Sequence, residues 1–296
     1  MDRLITVFTP TYNRRNCIEH CYRSLQRQSS FNFEWLIIDD GSTDDTEALI
    51  RKWQAEESRF AIRYFYKPNG GLHTAYNAGI EKARTELFMC IDSDDWLPDD
   101  AIAAIERIWS NVKQCGYVGI MGIDCYANGE CVGGRFPENT QEMFLYEKLV
   151  KYAIPGDKKM VQKTELLRAV APMPSFPGEK HFNPSYLMYK LDRYGRHYVT
   201  NECFCIVDYQ PDGMSSNIYK QYLDSPRSFA ETRKLYLSFP DTSAGFRFRQ
   251  YIHYTSSCLI AGQLAEGLRT APEKGLAAAA LPFGIVLTGL ILIKAR

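Results

Sequence analysis

The chain has 296 residues, 35 Lys plus Arg against 35 Asp plus Glu, and 45% hydrophobic residues. A neutral chain of ordinary composition lacks the whole-molecule basic field that nucleic acid requires, so any anion or metal chemistry must come from local clusters. Nine cysteines, with no CxxC pair, speak against a disulfide framework and a zinc centre and for reduced thiols in a cytosolic protein. The chain opens directly on a strand-like run, which predicts no signal peptide.

Taken in order, Leu4 to Phe8 is a short apolar run that reads as a buried strand, closed by Thr9-Pro10-Thr11. Ile18, Cys21, Tyr22 and Leu25 recur at helical spacing within 16–28. Phe33 to Ile38 is a second strand, ending at Asp39-Asp40-Gly41-Ser42, and Asp45 to Ala55 a second helix with Thr43 or Asp44 as N-cap. Ala61 to Tyr66, Leu72 to Ala83 and Leu87 to Ile91 continue as strand, helix and strand, the last ending at Asp92-Ser93-Asp94-Asp95. Beyond residue 100 the spacing predicts helices over 101–109, 143–152 and 185–194 and strands over 117–126, 160–164 and 203–209, with helices alone from Pro226 onward. We therefore expect an α/β fold whose one main domain has two halves, 1–100 for the ligand that its loops suggest and 101–225 for a second substrate, followed by a helical region over 226–296.

Alternation of strand and helix implies a parallel sheet covered on both faces, and such sheets bind ligands outside the carboxyl ends of their strands. The loops at Thr9 to Arg14, at Asp39-Asp40 and at Asp92 to Asp95 all lie there. Three carboxylates in four positions repel one another unless a hard cation relieves them. Mg²⁺ suits the place, because it takes one or two carboxylates and completes its shell with substrate phosphates. A helix N-cap explains one of these aspartates but not three. Asp40 can accept a hydrogen bond from a base or ribose, with an Asx-turn as the alternative. Tyr12 offers a flat face to a nucleobase, or is a packed tyrosine. His73 heads the helix over 72–83, whose N-terminus favours anions, or is a structural histidine.

The ordered set Thr9-Pro10-Thr11-Tyr12-Asn13-Arg14, Ile38 to Thr46, Asn69-Gly70-Gly71, Asn77-Ala78-Gly79 and Asp92-Ser93-Asp94-Asp95 resembles family 2 glycosyltransferases over about residues 4 to 110. The resemblance implies a GT-A fold, Rossmann-like with a mostly parallel sheet and helices on both faces, together with a nucleotide-diphosphate sugar donor and Mg²⁺ or Mn²⁺. Carried over by position, Tyr12 stacks on the base, Asp40 bonds it, and Thr9 and Pro10 shape the pocket; Arg14 is a further nucleotide-binding candidate, and His73, at its helix N-terminus, a candidate donor to the diphosphate. Asp92 touches ribose or metal, and Asp94 ligates the metal. An Asp that accepts from a ring N–H fits uracil or thymine, so the expected donor is a UDP-sugar.

Gly156-Asp157-Lys158, Met160 to Thr164, Phe176 to Lys180 and Tyr209 to Ser215 are similar to a subset that builds bacterial surface polysaccharides, which makes Asp157 and Lys158 candidates for binding the acceptor. Where the family carries an acidic pair whose first member is the base of inverting transfer, this chain reads Asn183-Pro184-Ser185. Glu179 is the nearest carboxylate and becomes the candidate base, with Asp192 next. The resemblance implies transfer of a sugar from a UDP-sugar to a saccharide or lipid-linked saccharide. The rival readings are a sugar nucleotidyltransferase, which normally has a Gly-rich loop after the first strand that Thr9 to Asn16 lacks, and a non-catalytic sugar-nucleotide or glycan-binding module.

The tail differs in kind. Gly275 to Ile293 holds no charged residue and is flanked by Lys274, Lys294 and Arg296. Its length allows a membrane helix, interrupted by Pro282 and Gly284, or a buried core helix. With aromatic and basic residues over 246–254, it predicts a cytosolic protein held at the inner membrane surface by its C-terminal helices.

Overall fold

The computed structural model describes residues 3–208 and 218–295, so the marker at Tyr209 to Ser215 lies outside the described residues. The chain forms two compact units, Met1–Met173 with Leu187–Gln210, and Pro174–Tyr186 with Pro211–Arg296. Strands from both sides of residue 100 share one sheet.

In the first unit β1 (Ile5–Thr11), β2 (Phe33–Asp39), β3 (Ala61–Tyr66) and β4 (Leu87–Cys90) alternate with α1 (Ile18–Gln26), α2 (Thr46–Glu56) and α3 (Leu72–Lys82). After α4 (Ala101–Val112) come β5 (Gly119–Cys125), the two-residue β6 (Glu142–Met143), α5 (Leu145–Val150), β7 (Lys158–Lys163), α6 (Thr164–Val170), α7 (Ser185–Leu191) and β8 (His197–Ile206). Among the described residues the eight strands form one sheet in the order β3-β2-β1-β4-β7-β5-β8-β6. The first four are mutually parallel, β7 runs antiparallel between β4 and β5, and β8 runs parallel to β5. Two reversals across β7 leave β5 and β8 pointing the same way as β1 and β4, so all of these strands end at one edge. Sequence patterning missed β6 and α6, and it started β8 six residues late at Cys203.

Period 2 along β1 decides which face each residue covers. Ile5 and Val7 join Ile18, Cys21 and Leu25 of α1, Ile50 and Trp53 of α2, and Ile102, Ile105 and Trp109 of α4 in the main core. Phe8 points to the opposite face, where it meets Phe88 and Tyr76. A side chain at Gly79 of α3 would place its Cβ 2.6 Å from the Phe8 ring, so this glycine sets how closely α3 approaches β1.

The second unit is helical: α8 (Ile218–Asp224), α9 (Pro226–Leu237), α10 (Ala244–Ile260), α11 (Leu264–Thr270) and α12 (Lys274–Lys294). Tyr251, Tyr254 and Cys258 of α10 pack with Ala277 and Ala280 of α12. At 21 residues, α12 is the described helix long and apolar enough to cross a membrane.

Candidate active site

Three loops meet at the carboxyl edge of the sheet, and hydrogen bonds pin them together. Asn13, in the left-handed region at φ 53°, donates its N–H to Ser42 Oγ at 2.8 Å and accepts from Thr43 N–H at 2.8 Å. The Arg14 and Arg15 amides donate to Thr46 Oγ1 and Asp44 Oδ2. The Arg14 guanidinium lies 4.0 Å from Asp94 Oδ2, which brings the third loop to the first. Tyr12 is about half exposed on this rim, as a base-stacking side chain needs to be.

The turn after β4 divides its carboxylates. Asp92 is exposed and Asp94 partly buried. Burial, and then the Asp92 charge, push Asp94 above the usual carboxylate range, with Arg14 opposing. Asp95 instead turns inward and is buried. It accepts from the Asp208 amide at 3.4 Å and lies 4.0 Å from the ammonium of Lys159 on β7. Lys159 is also 3.8 Å from Asp124 Oδ1, near the end of β5. Sequence reading missed both Lys159 and Asp124. The available signal was the pair Lys158-Lys159 at the start of a strand, where period 2 sends one of two adjacent lysines to each face.

These residues fit a divalent cation in a specific way. Asp92, Asp94, Asp95 and Asp124 set four carboxylates against two cations, Arg14 and Lys159, and hard oxygen donors with excess negative charge suit Mg²⁺ or Mn²⁺. Among the described residues, however, no three His, Cys, Asp or Glu side chains converge into a ready cage. A metal here would be held by Asp92 and Asp94 and would complete its shell from a ligand.

Several expected roles are already filled from the protein side. Thr9 Oγ1 faces the core and accepts from the Trp35 indole at 3.0 Å, while its neighbour Pro10 is buried. Asp40 is buried, and Oδ1 accepts from Lys67 Nζ and Gly70 N while Oδ2 accepts from Asn69 Nδ2 and Gly71 N. A carboxylate offers about four acceptor positions, so the base's ring N–H finds Asp40 occupied. Asp40 is itself the anion at the head of α3. His73, in the first turn of that helix, is 1% exposed and so is an interior residue. Lys158 is buried and donates to the carbonyls of Val132, Pro155 and Asp157, which uses its three protons and removes it from acceptor binding; Asp157 stays exposed.

Neither carboxylate considered as general base is available. Glu179 accepts from Arg227 N and Nε on one oxygen and from Ser228 N and Oγ on the other, at 2.7–2.9 Å, and so caps the N-terminus of α9. Asp192 accepts from Leu145 N and Tyr146 N, both at 2.8 Å, and caps α5 in the same manner.

The model of the family described as glycosyl transferase family 2 matches residues 6–156, which include every loop of this edge up to the start of β7. The chain belongs to glycosyl transferase family 2. Chondroitin synthase of Pasteurella multocida (strain Pm70) is 37% identical over 141 residues, covering 47% of this chain but 14% of the synthase. The structure of S. aureus TarS 1–349 in complex with UDP-GlcNAc superposes with a TM-score of 0.67 at 17% identity, over 97% of this chain and 90% of that one. Mannosyltransferase PcManGT from Pyrobaculum calidifontis, in complex with GDP-Man and Mn²⁺, gives 0.59 at 18% identity, over 100% and 86%. Both neighbours bear out the GT-A architecture. Membership of the family favours a transferase over the nucleotidyltransferase and binding-module readings.

Proposed function

We propose that this glycosyltransferase moves a sugar from a UDP-sugar to a saccharide or lipid-linked saccharide, with inversion, in surface-polysaccharide synthesis. The observation that carries the reading is the pinned edge: Tyr12, Arg14, Asp92 and Asp94 stand together on three cross-bonded loops, with Asp95 withdrawn beneath them. Tyr12 would hold the base by stacking. Asp92 and Asp94 would hold Mg²⁺ or Mn²⁺, which supplies neutralisation of the leaving diphosphate's charge. Arg14, tethered at Asp94, keeps a fixed cation beside that charge. TarS with UDP-GlcNAc supports a UDP-sugar, and PcManGT with GDP-Man and Mn²⁺ supports the metal. A thermal-shift screen of UDP-, GDP- and CDP-sugars with and without Mn²⁺ tests this. The reading expects the largest rise with a UDP-sugar plus Mn²⁺, because a ligand of the folded state alone raises apparent stability. A larger rise with a GDP-sugar would overturn the donor, and equal rises without Mn²⁺ the metal.

The second unit supports a place at the inner membrane surface. The stripe Ala277, Ala280, Gly284 and Ile291 is buried, and Thr288 Oγ1 meets Ser256 Oγ of α10 at 2.9 Å. A Cβ on Gly284 would lie 2.2 Å from Thr255 Oγ1. Small and polar groups of α12 thus face protein, while Phe283, Ile285, Val286, Leu290, Leu292 and Ile293 are exposed. This arrangement inverts a soluble surface helix and suits lipid on the outer side. Lys294 stacks on and bonds Tyr219 of α8 at the C-terminal end, an aromatic and basic pair of interfacial type.

A further inference from the structure

Lys159 is a charged side chain inside a sheet edge, where burial disfavours an ammonium unless it is paired. Its strand neighbours explain why it is there. On β7 it pairs opposite Gly122 of β5, between β4, which leads into the Asp92 turn, and β5, which carries Asp124. Its side chain is 11% exposed, and those of Asp95 and Asp124 are 10% and 4%. Cys205 and Tyr76, within electrostatic reach of Lys159, are buried, and burial pushes both well above their ordinary range. Asp124 Oδ1 has no hydrogen-bond partner among the described residues, so the lysine is the group that compensates it.

Four aspartates around one turn could be distributed in several ways. A cation drawing two of them inward fixes one distribution, in which Asp95 and Asp124 are neutralised below the surface and Asp92 and Asp94 alone face the ligand. We propose that Lys159 is a positioning residue that holds Asp95 inward, and so sets which carboxylates of the turn are presented to a divalent cation and its diphosphate. This deepens the metal–diphosphate reading and rests on it. Lys159 touches no ligand in this role. Its effect passes through Asp95, and that separates it from a lysine that binds phosphate directly.

The role makes the effect of removing Lys159 depend on Asp95. Lys159→Met keeps the length and loses the charge. Asp95 is then an unpaired buried charge beside Asp92 and Asp94, and the turn must rearrange to relieve it. Asp124, the other carboxylate that the lysine compensates, is left unpaired as well. In Lys159→Met/Asp95→Asn/Asp124→Asn both of these charges are gone. The experiment measures Mn²⁺ binding in the presence of UDP, by titration calorimetry or by the Mn²⁺ paramagnetic resonance signal, in wild type, Asp94→Ala, Asp95→Asn, Lys159→Met and the triple variant. We expect Lys159→Met to bind Mn²⁺ with UDP at least tenfold more weakly than wild type, or to fail to fold. The triple variant should fold and bind within about threefold of Asp95→Asn. Wild-type affinity in Lys159→Met overturns the proposal. A triple variant at least tenfold weaker than Asp95→Asn also overturns it, because Lys159 then acts on the ligand and not through the buried carboxylates. A wild type that binds no Mn²⁺, or an Asp94→Ala that binds it unchanged, removes the metal reading itself and this role with it.

Discussion

Asp40 sits where the amides at the head of α3 converge, and its carboxylate supplies the anion that a helix N-terminus attracts. Asp40→Asn keeps one acceptor oxygen and turns an N–H₂ toward backbone N–H groups. It should therefore cost about 1–3 kcal/mol of stability and leave the ratio of UDP to CDP affinity as in wild type. Denaturant unfolding and titration with the two nucleotides measure these effects. Full stability with lost UDP preference would restore Asp40 as the reader of the base. Glu179 has the same kind of occupation at the head of α9. Glu179→Gln should lose about 1–3 kcal/mol while turnover at a permissive temperature stays within a few-fold. A general base contributes on the order of a hundredfold or more, so a loss of that size at wild-type stability would return Glu179 to the chemistry. Motif position shows where a carboxylate lies along the chain. It does not show whether backbone amides have already taken its lone pairs. Asp40, Glu179 and Asp192 were legible as functional aspartate and glutamate positions for that reason, and their capping role was not.

At the scale of elements, α5 is held through a buried pair on its partners. Asp192 caps it, and His197 Nδ1 lies 3.8 Å from Asp192 Oδ1. Burial raises Asp192 to about 7, against the pull of the two amides it binds, and burial lowers His197 to about 3. Asp192 alone contributes stability that is full below about pH 4 and lost as pH rises through about 7. His197 alone contributes stability present above about pH 6.5 and lost as pH falls through about 3. Between about pH 4 and 6.5 the folded pair binds one proton, wherever it sits, and the unfolded pair also binds one, on histidine. The pair then adds no slope. Asp192→Asn breaks this balance, since the folded state binds none while the unfolded histidine still binds one. Relative to wild type, the variant should lose stability as pH falls from 6.5 to 4.5, by roughly 2–3 kcal/mol at 1.4 kcal/mol per unit. Urea unfolding at several pH values measures the difference, and parallel pH profiles would contradict the assignment. The strands were legible as short apolar runs, as in β1, β2 and β4, which are buried on both faces, and the helices where period 3.6 ran uninterrupted, as in α1 and α4. The short β6 and α6 carry too few residues to show a period, and the start of β8, His197 to Glu202, is polar because His197 and Asn201 bond within the unit.

For the whole molecule, α12 has two demands on it. Deleting it would uncover Tyr251 and Tyr254 as well as remove the outward apolar face, so truncation cannot separate core from anchor. Charges placed on the outward face can. Val286→Lys with Ile293→Lys should leave thermal stability in detergent near wild type and move the protein from the membrane fraction to the soluble fraction. A wild type already soluble would contradict the anchor. The composition of 275–293 made an apolar helix legible; which side of it meets protein depended on the Thr288–Ser256 and Gly284–Thr255 contacts with α10, and no periodicity within α12 reveals these. The candidate edge was legible because its three loops each follow an apolar strand, whereas Lys159 arrives on β7 by a reversal that the sequence does not announce. The central claim remains sugar transfer supported by a metal at the turn after β4. Its most direct measurement is Mn²⁺-dependent release of UDP from a UDP-sugar in the presence of acceptor, by wild type and by Asp94→Ala of matched thermal stability. The account predicts turnover by wild type that chelation abolishes, and none above background by Asp94→Ala. Turnover by Asp94→Ala at a rate near that of wild type, still dependent on Mn²⁺, would contradict it.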